Sequence, residues 1–186
     1  MQLRNSEQRW GLISITFHWV VAFSVLGLFI LGLWMTSLSY YDEWYRQAPH
    51  LHKSIGILLA VVMLLRLLWR FVDRRPAPLP EHSNIEKKIA HIVHGLLYLL
   101  LIVIFISGYL ISTADGRPIQ VFSWFSLPAT VTSIPNQEDL AGQIHYVLAI
   151  GLIALVVLHA AGAVKHHLID KDETLRRMLG LHRSQL

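Results

Sequence analysis

The chain contains no cysteine. That absence excludes disulfides, thiolate metal sites, iron–sulfur clusters and covalent c-type haem attachment, so any haem must be held by nitrogen or thioether ligands. Charge is scarce as well. Charged residues make up 15% of the 186 residues and hydrophobic ones 54%, a balance too apolar for a soluble domain of this size. The formal charge of +4 does not point to nucleic acid. The basic residues gather beside the apolar runs, where anionic lipid headgroups are the fitting partner.

Four stretches are long enough to cross a hydrocarbon core of about 30 Å: roughly 13–36, 51–72, 89–112 and 140–168. No tandem repeat is present, so the expectation is one all-α domain over 1–186, a bundle of four transmembrane helices. The first stretch lacks a small-residue cleavage site and is expected to remain as a span. Arg4 and Arg9 precede it; Arg66, Arg70, Arg74, Arg75, Lys87 and Lys88 flank the connection between the second and third spans; Lys165, Lys171, Arg176, Arg177 and Arg183 follow the fourth. The opposite side carries Arg46, Lys53 and Arg117. The positive-inside rule then puts both termini in the cytoplasm and predicts a multi-pass protein of a bacterial inner membrane, with loops 37–50 and 113–139 facing outward.

Four histidines lie near the ends of these spans: His18, His52, His145 and His159. An imidazole is costly in hydrocarbon and asks for a partner, and a transition metal is the obvious one. His145 and His159 are fourteen residues apart on one span, which returns to nearly the same helix face and separates them by roughly 21 Å along the axis. Antiparallel spans match His18 with His159 at one depth and His52 with His145 at the other. Two stacked b-type haems, each ligated by two histidines, are the simplest chemistry that uses all four. A small residue follows each candidate one turn later (Ala22, Gly56, Ala149 and Ala163), leaving room for a flat macrocycle. Small residues also line helix contacts in membranes, and His91 has Gly95 at the same offset. His91 and His94 are therefore rival ligands on the third span, and His50, expected in the loop, is a rival to His52.

The ordered set of motifs resembles the prokaryotic cytochrome b561 family, four-helix di-haem membrane proteins that include superoxide oxidase, a superoxide–quinone oxidoreductase. The residues that carry the resemblance run from Ser14-Ile15-Thr16-Phe17-His18-Trp19 through His52, Gly56 and Ile57 to Arg66-Leu67-Leu68-Trp69-Arg70. They continue through His91, His94 and Tyr98, the Pro118 to Pro128 segment, His145, and His159-Ala160-Ala161 followed by His166-His167. The resemblance implies that His18 and His159 hold a cytoplasmic-side haem b, that His52 and His145 hold an outer one, and that ubiquinone is a substrate.

The remaining polar residues suggest roles around such a centre. Arg66 and Arg70, one turn apart, can pair with haem propionates or reach the headgroups. His166 and His167 can hydrogen-bond a quinone carbonyl and deliver a proton, or form a solvated basic helix end. Lys53, Arg46 and Arg117 can steer an anion such as superoxide, although Asp42, Glu43, Asp115, Glu138 and Asp139 make the outer loops acidic on balance. The leading expectation is a di-haem conduit between an outer donor, superoxide in the best-matched relatives, and the quinone pool, resembling a superoxide–quinone oxidoreductase. A second is a membrane-anchor relay subunit for a periplasmic redox protein, with Phe122, Trp124 and Phe125 as the dock. A third is a haem-free transporter or structural bundle.

Overall fold

A computed structural model describes residues 2–181, so Arg183, counted above among the flanking cations, lies outside the described residues. Four long helices dominate: α1 (Leu12–Ser37), α2 (Gln47–Val72), α3 (Asn84–Thr113) and α4 (Gln137–Leu168). A two-stranded antiparallel hairpin, β1 (Ile119–Val121) and β2 (Phe125–Leu127), lies between α3 and α4, and a short α5 (Thr174–Met178) follows. The four helices have 26 to 32 residues and are apolar enough to cross a membrane. At about 1.5 Å per residue the shortest is roughly 39 Å long, more than a bilayer core requires. Much of their apolar surface points outward: Phe23, Ile30, Leu64, Phe71 and Leu158 are all exposed, as side chains that meet lipid must be.

The helices begin earlier than the apolar runs do, for local reasons. Ser83 and Glu86 form a reciprocal capping box, in which the Ser83 N–H donates to Glu86 Oε2 at 2.9 Å and the Glu86 N–H to Ser83 Oγ at 3.3 Å. That cap starts α3 at Asn84. In α2 the first bond runs from the Ala48 N–H to the Trp44 carbonyl at 2.9 Å, and Pro49, which lacks an N–H, falls in the first turn where none is needed. His50, expected in a loop, is therefore part of α2. His166 and His167 occupy the last turn of α4. In the loop before α2, the Ser39 N–H and Oγ–H both donate to Asp42, at 2.6 and 2.8 Å, and these bonds hold its carboxyl below the ordinary carboxylate range.

The chain divides into two compact units, each with a piece of every long helix. The first unit comprises Val62–Leu97 and the described parts of Met1–Val21 and Ala154–Leu186. It is tied by polar contacts: the Asn5 N–H donates to Asp73 at 2.9 Å, the Trp69 indole to Ser14 at 3.0 Å, and the Trp19 indole to the Met178 carbonyl at 2.9 Å. The last of these anchors α5. The second unit comprises Ala22–Val61 and Tyr98–Ile153. Here Ser54 of α2, fully buried, donates to the Gln120 carbonyl at 3.3 Å and accepts the Phe122 N–H at 3.0 Å. Phe122 has a positive φ of 49°, a conformation uncommon for a residue with a Cβ, and the Ser54 bond helps hold it. Ile119 and Val121 point inward from β1, while Trp124 and Phe125 at the turn are exposed.

Candidate haem centres

Each unit brings one of the expected histidine pairs together. In the second unit the rings of His52, on α2, and His145, on α4, stand 6.2 Å apart centroid to centroid at 70°. In the first, His18 of α1 and His159 of α4 stand 6.3 Å apart at 58°. A metal between two facing imidazoles needs two metal–nitrogen bonds of about 2 Å and two ring radii of about 1.1 Å, which sum to about 6.2 Å. Both pairs meet that spacing. Ring planes that share a metal axis can rotate about it, so the two interplanar angles are compatible with the same ligation.

The second unit adds the surroundings that a planar cofactor needs. A cavity of about 370 Å³ is lined by His52 and His145, by Gly56 and Ala149 one turn further along each helix, and by apolar side chains such as Leu28 and Phe105. Its size falls within the range usual for ligand pockets. The His145 ring is held from α3, with Nδ1 lying 3.1 Å from the Ile104 carbonyl and 3.1 Å from Ser107 Oγ. A carbonyl can only accept, so Nδ1 carries the proton and Nε2 keeps its lone pair for a metal. His52 Nδ1 is buried without a hydrogen-bond partner. Both rings pack against glycine: a Cβ added at Gly108 would meet His145 Cε1 at 3.2 Å, and one at Gly32 would meet His52 Cε1 at 3.3 Å. The residues of this unit fit a bis-imidazole haem.

The first unit is more crowded. His94 of α3 also approaches His159, with centroids 5.2 Å apart. That is about 1 Å short of the spacing for two rings facing one metal, and it favours His18 as the partner of His159. Arg66 places Nη2 3.3 Å from His18 Nδ1, close enough to His159 and His94 to interact with both electrostatically, and Arg70 interacts likewise with His94. Guanidinium can only donate, so in this arrangement the Nδ1 lone pair is engaged and the neutral ring carries its proton on Nε2. Iron taken at His18 Nε2 therefore requires Arg66 to turn away, which would free it for a carboxylate such as a propionate. With that rotation the residues fit the group.

The other candidates are distributed around these pairs. His50 packs edge-on against Phe122, 6.2 Å between centroids, and does not join His145. Arg46 and Lys53 line one surface recess with His50 and Pro118, whereas Arg117 is exposed and pairs with Asp115 at 3.4 Å. His166 Nδ1 lies 2.7 Å from Asp170 and 3.2 Å from Asp172. His167 Nδ1 is buried without a hydrogen-bond partner. The sequence reading missed Ser107, Gly108 and Gly32, although a Ser-Gly pair inside an otherwise apolar span was a visible signal of a close approach.

Paired imidazoles on membrane-length helices, in a chain without thiols, define a membrane electron-transfer protein of the b-type cytochrome class. The sequence model of prokaryotic cytochrome b561 matches residues 9–181, and the chain belongs to that family. It is 54% identical over 180 residues to cytochrome b561 homolog 2 of Escherichia coli (strain K12), covering 97% of this chain and 96% of that one. It is 28% identical over 177 residues to the probable superoxide oxidase CybB of Yersinia pestis, with 93% and 97% covered. Cytochrome b562 of Cereibacter sphaeroides is 28% identical over 182 residues, with 94% and 98% covered. Family membership implies b-type haem, which removes the haem-free bundle from consideration, and makes the chain a multi-pass bacterial membrane protein.

Proposed function

We propose that the chain is a di-haem conduit that moves electrons from superoxide on the outer side of a bacterial inner membrane to the quinone pool, as a single domain with both termini cytoplasmic. The observation that carries this reading is the pair of imidazole couples, each at the spacing that one metal between two rings requires. When bound, two haem b groups supply reversible one-electron carriage. His52 and His145 would hold the outer group, and His18 and His159 the inner one. The Ile104 carbonyl keeps His145 in the ligating tautomer, and Arg66 and Arg70 offset the propionate charge of the inner group.

Overall, two superoxide ions, one ubiquinone and two protons would yield two dioxygen molecules and one quinol. Arg46 and Lys53, beside the outer ligands, attract the anion. His167, whose buried Nδ1 has no partner, and His166, which faces two carboxylates, are assigned to bind the quinone and hold its protons. The relatedness to a protein named as a probable superoxide oxidase supports the donor, and the exposed Trp124 and Phe125 support the alternative of a relay subunit docked by a periplasmic redox protein. Stopped-flow mixing of the purified protein with superoxide and a soluble quinone separates the two. Quinone-dependent superoxide loss without any added protein is expected, and its absence would overturn the enzyme reading.

A further inference from the structure

Outside the paired histidines, the first unit contains a second cluster of metal-ligating side chains. His82 lies in the segment just before α3, His166 in the last turn of α4, and Asp172 in the link to α5. Their donor atoms all lie within 4.8 Å of one another. Asp172 Oδ2 is the hub, 2.7 Å from His82 Nε2 and 3.2 Å from His166 Nδ1. The two imidazole rings lie 4.5 Å apart and 36° from parallel, and the His82 Nε2 is hydrogen-bonded to that oxygen.

Three features distinguish this group from an ordinary ion pair. The first is anchoring: the other carboxylate oxygen, Asp172 Oδ1, accepts the Thr174 N–H at 2.8 Å, which fixes the side chain and leaves Oδ2 for the imidazoles. Carboxylates that bind metals are commonly held this way. The second is direction. His166 Nδ1 is buried and within 3.2 Å of two carboxylates, yet makes no hydrogen bond, so its in-plane axis misses both oxygens. Donors that converge on a shared point between them have this geometry, and ligands around a tetrahedral metal at about 2.0–2.1 Å stand about 3.3 Å apart.

The third feature is local charge. A neighbouring set, Glu86, His166 and Asp170, is equally close-knit but shares Lys165, whose ammonium lies 3.0 Å from Glu86 and 2.7 Å from Asp170. That cation already neutralises the second set and would repel an ion. In the first set, the Asp172 side chain is only 6% exposed.

We infer that His82, His166 and Asp172 form a site for a divalent transition metal, with zinc as the best match to two imidazoles and one carboxylate. Water would complete the tetrahedron. Such an ion would clasp the segment before α3, the end of α4 and the α5 link together, apart from the haem sites, and while bound would leave the quinone's protons to His167 alone.

Zinc bound to the purified, haem-loaded full chain tests this, measured by competition with a chromogenic chelator and by zinc K-edge absorption. One zinc per chain is expected, with two imidazoles in its first shell. His82→Ala and Asp172→Asn should weaken binding by at least about 100-fold, while Glu86→Gln, in the lysine-neutralised set, should not. An unchanged haem spectrum certifies the fold of each variant, and the edge spectrum of the unmutated protein stands without them. No stoichiometric zinc, a shell lacking paired imidazoles, or loss on Glu86→Gln but not on Asp172→Asn would overturn the site.

Discussion

Gly108 is the position where one added carbon should reach the haem chemistry. Alanine there would put Cβ 3.2 Å from His145 Cε1 and 3.4 Å from Nδ1, while carbon atoms rest at about 3.5–4.0 Å. The ring must give way by about 0.5 Å. It is not free to do so, because Nδ1 is bound to the Ile104 carbonyl and Ser107 on the same helix that carries the new methyl group. Overpacking of this kind costs about 1–3 kcal/mol, and a metal ligand displaced by half an ångström loses productive geometry. Gly108→Ala should therefore weaken retention of one haem by roughly 10- to 100-fold, a factor of ten per 1.4 kcal/mol, and leave the other in place. Haem transfer to apomyoglobin, followed by absorbance, gives the retention. Gly27→Ala is the control, since a Cβ there meets nothing within 4 Å. Equal retention in Gly108→Ala and the parent would refute the view that the His145 ring is a fixed axial ligand.

Two further outcomes follow from the polar contacts. Ser54→Ala removes the partner of the part-buried Phe122 N–H, at about 1–3 kcal/mol, so hydrogen exchange across 119–127 should quicken by roughly tenfold or more; unchanged protection would mean that Ser54 does not hold the hairpin. The Asp172 carboxyl titrates below its unfolded value of about 3.9, so its contribution is complete above that pH and is lost as the pH falls through the lower folded value. Thermal unfolding followed from pH 7 to 3 should show a steeper acid decline in the parent than in Asp172→Asn, and superimposable slopes would contradict that assignment.

The four helices were legible because each apolar run is long and almost uncharged, and no other structure satisfies a backbone in lipid. The histidine pairing was legible because depth in a membrane can be counted from helix ends. What could not be read depends on approaches between distant segments. His82 and Asp172 are ninety residues apart, and nothing in either neighbourhood announces the other. Arg66 beside His18, and His94 beside His159, depend on how each helix is rotated about its axis. A nearly uniform apolar surface hides that angle, because no polar stripe marks which side faces protein. The start of α2 was missed for a different reason: the apolar run begins only at Leu51, whereas the helix opens at Gln47 with Pro49 in its first turn.

The central claim is that each imidazole couple holds one iron porphyrin, and counting haems in single variants tests it most directly. Haem per protein, from reduced-minus-oxidised spectra of the purified parent and of His18→Ala, His52→Ala, His145→Ala and His159→Ala, should fall from two to one in every variant. His18→Ala and His159→Ala should lose the same spectral component, and His52→Ala and His145→Ala the other. A parent with a single haem, or a His94→Ala variant that loses the component which His18→Ala retains, would contradict the account.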